Sequence, residues 1–262
     1  MSIFGNLDGK TAVVCGASHG LGAATAQALA SLGSRVILVA RSREALETLR
    51  KTLPHPERHC SVSIDLSDLQ AVAKFAADQA SRKDPVHILI NNAGGPTPGA
   101  AMMASPEGLL EGINMHVLAN VMLCQAFVPQ MKDANYGRII NIVSVSARNP
   151  VANLAVSNTV RGAVLNWAKT LSRELAPYGI TVNSVLPGYT DTARLQQILA
   201  NNASQQNVTK AAVEERLLKE IPMGRFGRAE ELAAAVAYFA LPAASFTTGT
   251  TLAVDGGWTS ST

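Results

Sequence analysis

Cysteine, aromatic residues and charge are all scarce in this chain. Of 262 residues only three are cysteine and 5% are aromatic. Cys15, Cys60 and Cys124 form an odd, widely spaced set in apolar surroundings. That pattern excludes a disulfide framework or a paired zinc site and fits a reducing compartment. Charged residues make up 16%, with 22 basic against 19 acidic side chains and no basic run. A nucleic-acid partner therefore has no electrostatic footprint here. The longest nearly unbroken apolar run, Leu232 to Pro242, falls well short of the roughly 18 residues of a membrane span. The start, MSIFGNLDGK, has no positive charge ahead of an apolar stretch, so no secretory signal is expected. These absences predict a soluble, cytoplasmic protein without a structural metal. The 47% hydrophobic content supports a large core, and 262 residues suffice for one large α/β domain or two small ones.

Short β-branched runs alternate with alanine-rich helical stretches. Strands are predicted at Thr11–Cys15, Arg35–Val39, Val86–Ile90, Arg138–Val143, Ile180–Leu186 and Thr250–Val254, with Cys60–Ile64 a weaker seventh. Most lack polar alternation, as strands covered on both faces do. Helices are predicted at Gly20–Leu32, Arg43–Leu53, Leu69–Ala80, Glu107–Met131, Asn158–Ala176 and Ala229–Leu241. The alternation implies an α/β fold: a single Rossmann-type, doubly wound parallel sheet of about seven strands with helices on both faces. No linker or short-period repeat interrupts it. The polar stretch Ala193–Glu220 reads as a surface insertion, either a solvated excursion or a substrate lid spanning 193–222.

The first strand runs into Gly16-Ala-Ser-His-Gly20-Leu-Gly22, which opens a helix. Glycines at this spacing permit a tight turn and close approach to a pyrophosphate, and the helix N-terminus offers free amides. Gly16, Ser18, His19, Gly20, Leu21 and Gly22 are the expected phosphate contacts. At the end of strand two an NAD site places an acid against the ribose 2′-hydroxyl. Here Val39-Ala40-Arg41-Ser42 offers a guanidinium instead. NADP(H) is therefore favoured over NAD(H), the alternative being a solvated Arg41 at a helix start.

These residues, with Asn91-Asn92-Ala93-Gly94, Pro187-Gly188-Tyr189-Thr190-Asp191-Thr192 and Val254-Asp255-Gly256-Gly257, resemble the short-chain dehydrogenase/reductase family over nearly the whole chain, and its 3-oxoacyl-carrier-protein reductases in particular. The resemblance implies that Asn91, Ala93 and Gly94 support the sheet and the adenosine ribose. Asp65 with Leu66 would bind the adenine. Pro187, Gly188, Thr190 and Thr192 would face the nicotinamide carboxamide. It also implies pairing through the Glu107–Met131 and Asn158–Ala176 helices, hence a homotetramer. The family's catalytic set of Asn, Ser, Tyr and Lys is altered. Ser144 occupies the serine position, but Ser157 stands for tyrosine, Arg161 for lysine and His116 for asparagine.

A serine hydroxyl is a far weaker acid than a phenol, and arginine keeps its proton. Arg161 can still hold ribose hydroxyls or an anionic substrate. His116 is either packed in its helix or a proton donor near neutrality, with Tyr189 as the other donor; Ser146 and Asn153 are further pocket residues. Two functions fit: an NADP(H)-dependent oxidoreductase on a carbonyl, alcohol or quinone-like small molecule, or a cofactor-binding sensor without turnover.

Overall fold

A computed structural model describes residues 4–259. Seven strands assemble into one sheet: β1 (Thr11–Cys15), β2 (Arg35–Ala40), β3 (Cys60–Ser63), β4 (Ile88–Asn91), β5 (Gly137–Ile142), β6 (Ile180–Pro187) and β7 (Thr251–Val254). Their order is β3-β2-β1-β4-β5-β6-β7, and every pairing is parallel. Register follows the apolar residues, with Val13 opposite both Ile37 and Leu89, and Ile139 opposite Leu89 and Val182. Alternation then sorts each strand into two cores. Ala12, Val14, Ile88 and Ile90 face one layer with Leu29, Leu46 and Phe239. Val13, Cys15, Leu89 and Ile139 face the other with Phe75, Leu123, Phe127 and Met131. Each fully buried side chain of this size stabilises the fold by about 1.5–3 kcal/mol.

Helices α1 (Gly20–Ser31), α2 (Arg43–Thr52) and α9 (Ala229–Ala240) cover the first face. Helices α3 (Leu69–Ala80), α5 (Ala119–Asp133) and α6 (Ala155–Leu175) cover the second. The single helix expected over Glu107–Met131 is instead α4 (Pro106–Ile113), a π-helical turn at Asn114–Leu118, and α5. The stretch Pro106–Asp133 is long and apolar enough to cross a bilayer by composition, yet Leu123, Phe127 and Met131 are fully buried against the sheet. The α6 helix starts three residues earlier than expected, at Ala155, which brings Ser157 into its first turn.

The polar insertion folds as two helices, α7 (Ala193–Gln206) and α8 (Lys210–Glu220), each with a threonine N-cap. Leu195, Leu199, Ala203, Val213 and Leu217 form a small separate core between them, against Tyr189 and Phe226. A solvated excursion would bury none of these.

Candidate active site

The order of the sheet reverses at β1, whose neighbours are β2 and β4. At such a switch point the loops leaving the C-terminal strand ends diverge and open a crevice. Here that crevice is a cleft of about 900 Å³. Its walls are the loops after β1, β2, β3, β4, β5 and β6, the N-terminal parts of α6 and α7, and residues of α4 and of the 95–105 segment.

The glycine loop comes first. Gly16 has φ +60°, and a Cβ there would lie 2.6 Å from the Asn92 side-chain nitrogen. A Cβ on Gly22 would lie 2.1 Å from the Gly16 carbonyl oxygen, closer than any real contact. Helix α1 therefore starts hard against the loop, and only glycine fits. The residue capping α1, His19, makes no side-chain cap hydrogen bond, so the helix's first amides are not occupied by a cap. A cradle lined by free backbone amides and closed to any Cβ suits a diphosphate. The Asn92 side-chain nitrogen donates to the carbonyls of Cys15 and Gly16, at 3.2 and 3.3 Å, and fastens the loop to β4.

Asn91 supports the sheet, as expected, and stands away from the cleft. It is buried in β4, donates to the Asn141 side-chain oxygen at 2.9 Å, and does not line the cleft. The strand's period of two explains that placement, since adjacent residues point to opposite faces. Gly22 is also behind the wall rather than on it. Gly16, Ser18, His19, Gly20, Leu21, Arg41, Asp65, Leu66, Ala93, Gly94, Arg161, Pro187, Gly188, Thr190 and Thr192 all line the cleft. At its β2 end the exposed Arg41 guanidinium lies 3.9 Å from the Asp65 carboxylate.

Ser144, Ser146, Ser157, Arg161 and Tyr189 line the other end, whereas Asn153 stands beside the lining residue Leu154 in left-handed backbone, φ +59°. Ser157 and Arg161 are one helical turn apart on α6, and the Arg161 Nε donates to the Ser157 Oγ at 3.1 Å. The Arg161 Nη1 donates to the Val143 carbonyl just before Ser144. Burial, and after it the neighbouring Arg194, pull the Arg161 guanidinium down to about 10, which leaves it protonated at neutral pH. The Ser144 Oγ accepts from the Ser146 amide at 3.1 Å.

His116 stands in the packed arrangement of the two expected for it. It is buried in the π-helical turn and is not among the residues lining the cleft. Burial, then Arg161, push its imidazole down to about 3, against a hydrogen bond to the Gly94 backbone that raises it. At neutral pH it is uncharged, so it has no imidazolium proton to deliver. Tyr189 is held above the usual phenol range by burial and then by Glu220, which makes it a weaker acid than a free tyrosine. Its ring packs 5.1 Å from Trp258 and also lines a second cavity of about 510 Å³, bounded by Arg216, Leu217 and Glu220 of α8. Arg194, in the first turn of α7, lines the main cleft and went unnoticed in the sequence. Its position just after the Thr-Asp-Thr turn was the available signal.

The family model described as enoyl-(acyl carrier protein) reductase matches residues 16–259. The chain belongs to the short-chain dehydrogenase/reductase family. It is an oxidoreductase of that kind. It is 33% identical over 251 residues to the NADPH-dependent reductase BacG of Bacillus subtilis, covering 95% of this chain and 97% of that one. It is 32% identical over 253 residues to the 3-oxoacyl-[acyl-carrier-protein] reductase FabG of Vibrio cholerae, covering 96% and 98%. The structure of L-sorbose reductase from Gluconobacter frateurii, complexed with NADPH and L-sorbose, superposes with a TM-score of 0.91 at 27% identity, over 98% of this chain and 99% of that one. Fold, glycine cradle and sequence thus agree.

Proposed function

We propose that this chain is an NADP(H)-dependent oxidoreductase of small molecules that uses Ser157 and Arg161 in place of the family's tyrosine and lysine. The observation carrying it is the Arg161–Ser157 hydrogen bond inside the cleft. A hydroxyl that accepts from a guanidinium must direct its own proton elsewhere, and Ser157 faces the cavity. When bound, NADPH would supply the hydride for a carbonyl or quinone-like acceptor, becoming NADP⁺, and the acceptor oxygen would need one proton.

The chain's own residues do the rest. Gly16, Ser18, His19, Gly20 and Leu21 would hold the diphosphate, and Arg41 the 2′-phosphate. Asp65 and Leu66 would hold the adenine, and Pro187, Gly188, Thr190 and Thr192 the carboxamide. The Ser144 and Ser157 hydroxyls donate to the substrate oxygen. Arg161 supplies a fixed positive charge where negative charge develops, the preorganised kind of stabilisation that contributes most in a water-poor site. Ser157 passes on a proton drawn from solvent, because its own acidity is too low to serve alone. His116 acts as a positioning residue under Gly94. Helices α7 and α8 form the lid. The protein works as a soluble, cytoplasmic homotetramer, as its scarce unpaired cysteines and its exposed apolar side chains suggest.

The test is to titrate purified protein with NADPH and NADH, then follow nicotinamide absorbance with a panel of ketones, aldehydes and quinones. Turnover of a panel member, reduced at least about tenfold in Ser157→Ala, is expected. Saturable NADPH binding with no turnover across the panel overturns the reading in favour of a cofactor-binding sensor.

A further inference from the structure

The substrate end of the cleft holds two arginines and, among the described residues, no ion pair for either. Both are partly buried. Arg161 uses Nε on Ser157 and Nη1 on the Val143 carbonyl, which leaves the Nη2 edge of its fork free of protein partners. Arg194 makes one hydrogen bond, from Nη2 to the Pro96 carbonyl at 3.2 Å. Pro96, which holds Arg194, meets Val156 and Val160 of α6, the helix that carries Arg161, around Gly112.

The acidic residues lining the cleft offer no relief. Asp65 lies at the opposite end beside Arg41 and accepts from Ser67, and Glu111 is exposed on α4. Partly desolvated like charges with no counter-charge destabilise a fold. Arg194 also stands in the first turn of a 14-residue helix, the end where the helix dipole repels a cation. Nothing in the fold itself rewards this arrangement. A bound anion would.

Two anions could reach it, a carboxylate on the substrate or the cofactor's diphosphate. The surroundings favour the first. Arg194 is fixed by Pro96, in the segment whose Gly99 pairs with Asn153 and Leu154 just ahead of α6. Arg161 is fixed beside Ser144 and Ser157, where the reacting oxygen is held in the reading above. We propose that Arg161 and Arg194 together form a carboxylate site, so that the substrate is an oxo acid or the corresponding hydroxy acid rather than a neutral sugar or a thioester. This rests on the oxidoreductase reading for the words oxo and hydroxy, and on the arginines alone for the carboxylate.

The experiment measures binding, not turnover. Protein saturated with NADP⁺ is titrated calorimetrically with pyruvate and acetoacetate, each against its uncharged methyl ester. Each acid is expected to bind at least about tenfold tighter than its ester, the range of a charge-assisted hydrogen-bonded pair. In Arg194→Gln acid and ester should bind alike, while the NADPH dissociation constant changes by less than twofold. Arg194→Lys, which keeps the charge but loses the fork, should recover part of the preference. Thermal melts establish that both variants are folded. The proposal fails if wild type prefers neither acid, including if it binds none of the four probes. It also fails if Arg194→Gln weakens NADPH as much as it weakens the acids, because the anion held is then the cofactor's phosphate. An acid preference in a protein that turns over no carbonyl would sink the oxidoreductase reading and leave the carboxylate site standing.

Discussion

Arg41 and His116 each couple an ionic state to a function that a single substitution can isolate. Arg41 is 77% exposed and only 3.9 Å from Asp65, so a 2′-phosphate can draw it away at little cost in packing. Arg41→Ala should weaken NADPH by about tenfold or more, the scale of one charge-assisted hydrogen bond, and leave NADH nearly unchanged. Equal losses for both cofactors, read by fluorescence titration, would remove the 2′-phosphate assignment. For His116, an imidazole pushed down to about 3 titrates far below the neutral range. The pH profile of kcat should therefore show no inflection near the unperturbed value of about 6.5. An inflection there that vanishes in His116→Asn would restore His116 as the proton donor. Its type and helix were legible in the sequence, but its burial was not, because helical periodicity does not reveal a π-helical turn that re-aims side chains.

At the scale of elements, the glycine turn makes the sharpest claim, because it rests on backbone contact alone. Gly22→Ala would set a methyl 2.1 Å from the Gly16 carbonyl oxygen, so the α1 N-terminus must retreat from β1. We expect a loss of about 1–3 kcal/mol in stability, as for other overpacked sites, together with loss of measurable NADPH affinity. Unchanged affinity in a calorimetric titration would detach the turn from the phosphate. Such turns were readable from sequence because the β1–glycine–α1 order is local. The sheet was readable for the same reason, each β-branched run being short and bounded by turn residues. What escaped lies in contacts between distant segments: Asn92 fastening the glycine loop, and Arg194 meeting Pro96. Residue type alone cannot decide which of two adjacent asparagines faces a cleft, since that depends on the phase of β4 relative to the sheet.

Over the whole molecule, surface and interior each make a prediction. Phe246 is fully exposed, with Tyr238 and Leu252 also exposed near the β7 edge, while Leu110 and Leu118 are exposed along the α4–α5 stretch. Apolar side chains left open beside a free sheet edge favour association, so sedimentation at micromolar concentration should give a tetramer that Phe246→Glu disrupts. A wild-type monomer would end that proposal. The interior predicts how the fold responds to acid. His59 and His87 are buried, and each accepts a backbone amide proton on Nδ1, from Val36 and Thr11, which requires a neutral ring. Burial leads in lowering both, and it leads in lowering His116 to about 3. Unfolded, all three return to about 6.5, so below that pH the unfolded chain binds more protons than the folded one. Their contribution is complete above about pH 6.5 and is lost as the pH falls. For His116 alone the slope is about 1.4 kcal/mol per pH unit down to its folded value. The lowered carboxylates Glu47, Glu231 and Asp255 weaken the fold only at lower pH, where carboxylates in the unfolded chain protonate. Between about pH 6.5 and 5 the histidines should thus act nearly alone. Urea melts across that window should show stability falling steadily, and His116→Asn should reduce the slope by one proton's worth. A midpoint that does not move between those two pH values would mean that the three rings are protonated in the folded protein, and that their amide-accepting geometry is not the one it adopts.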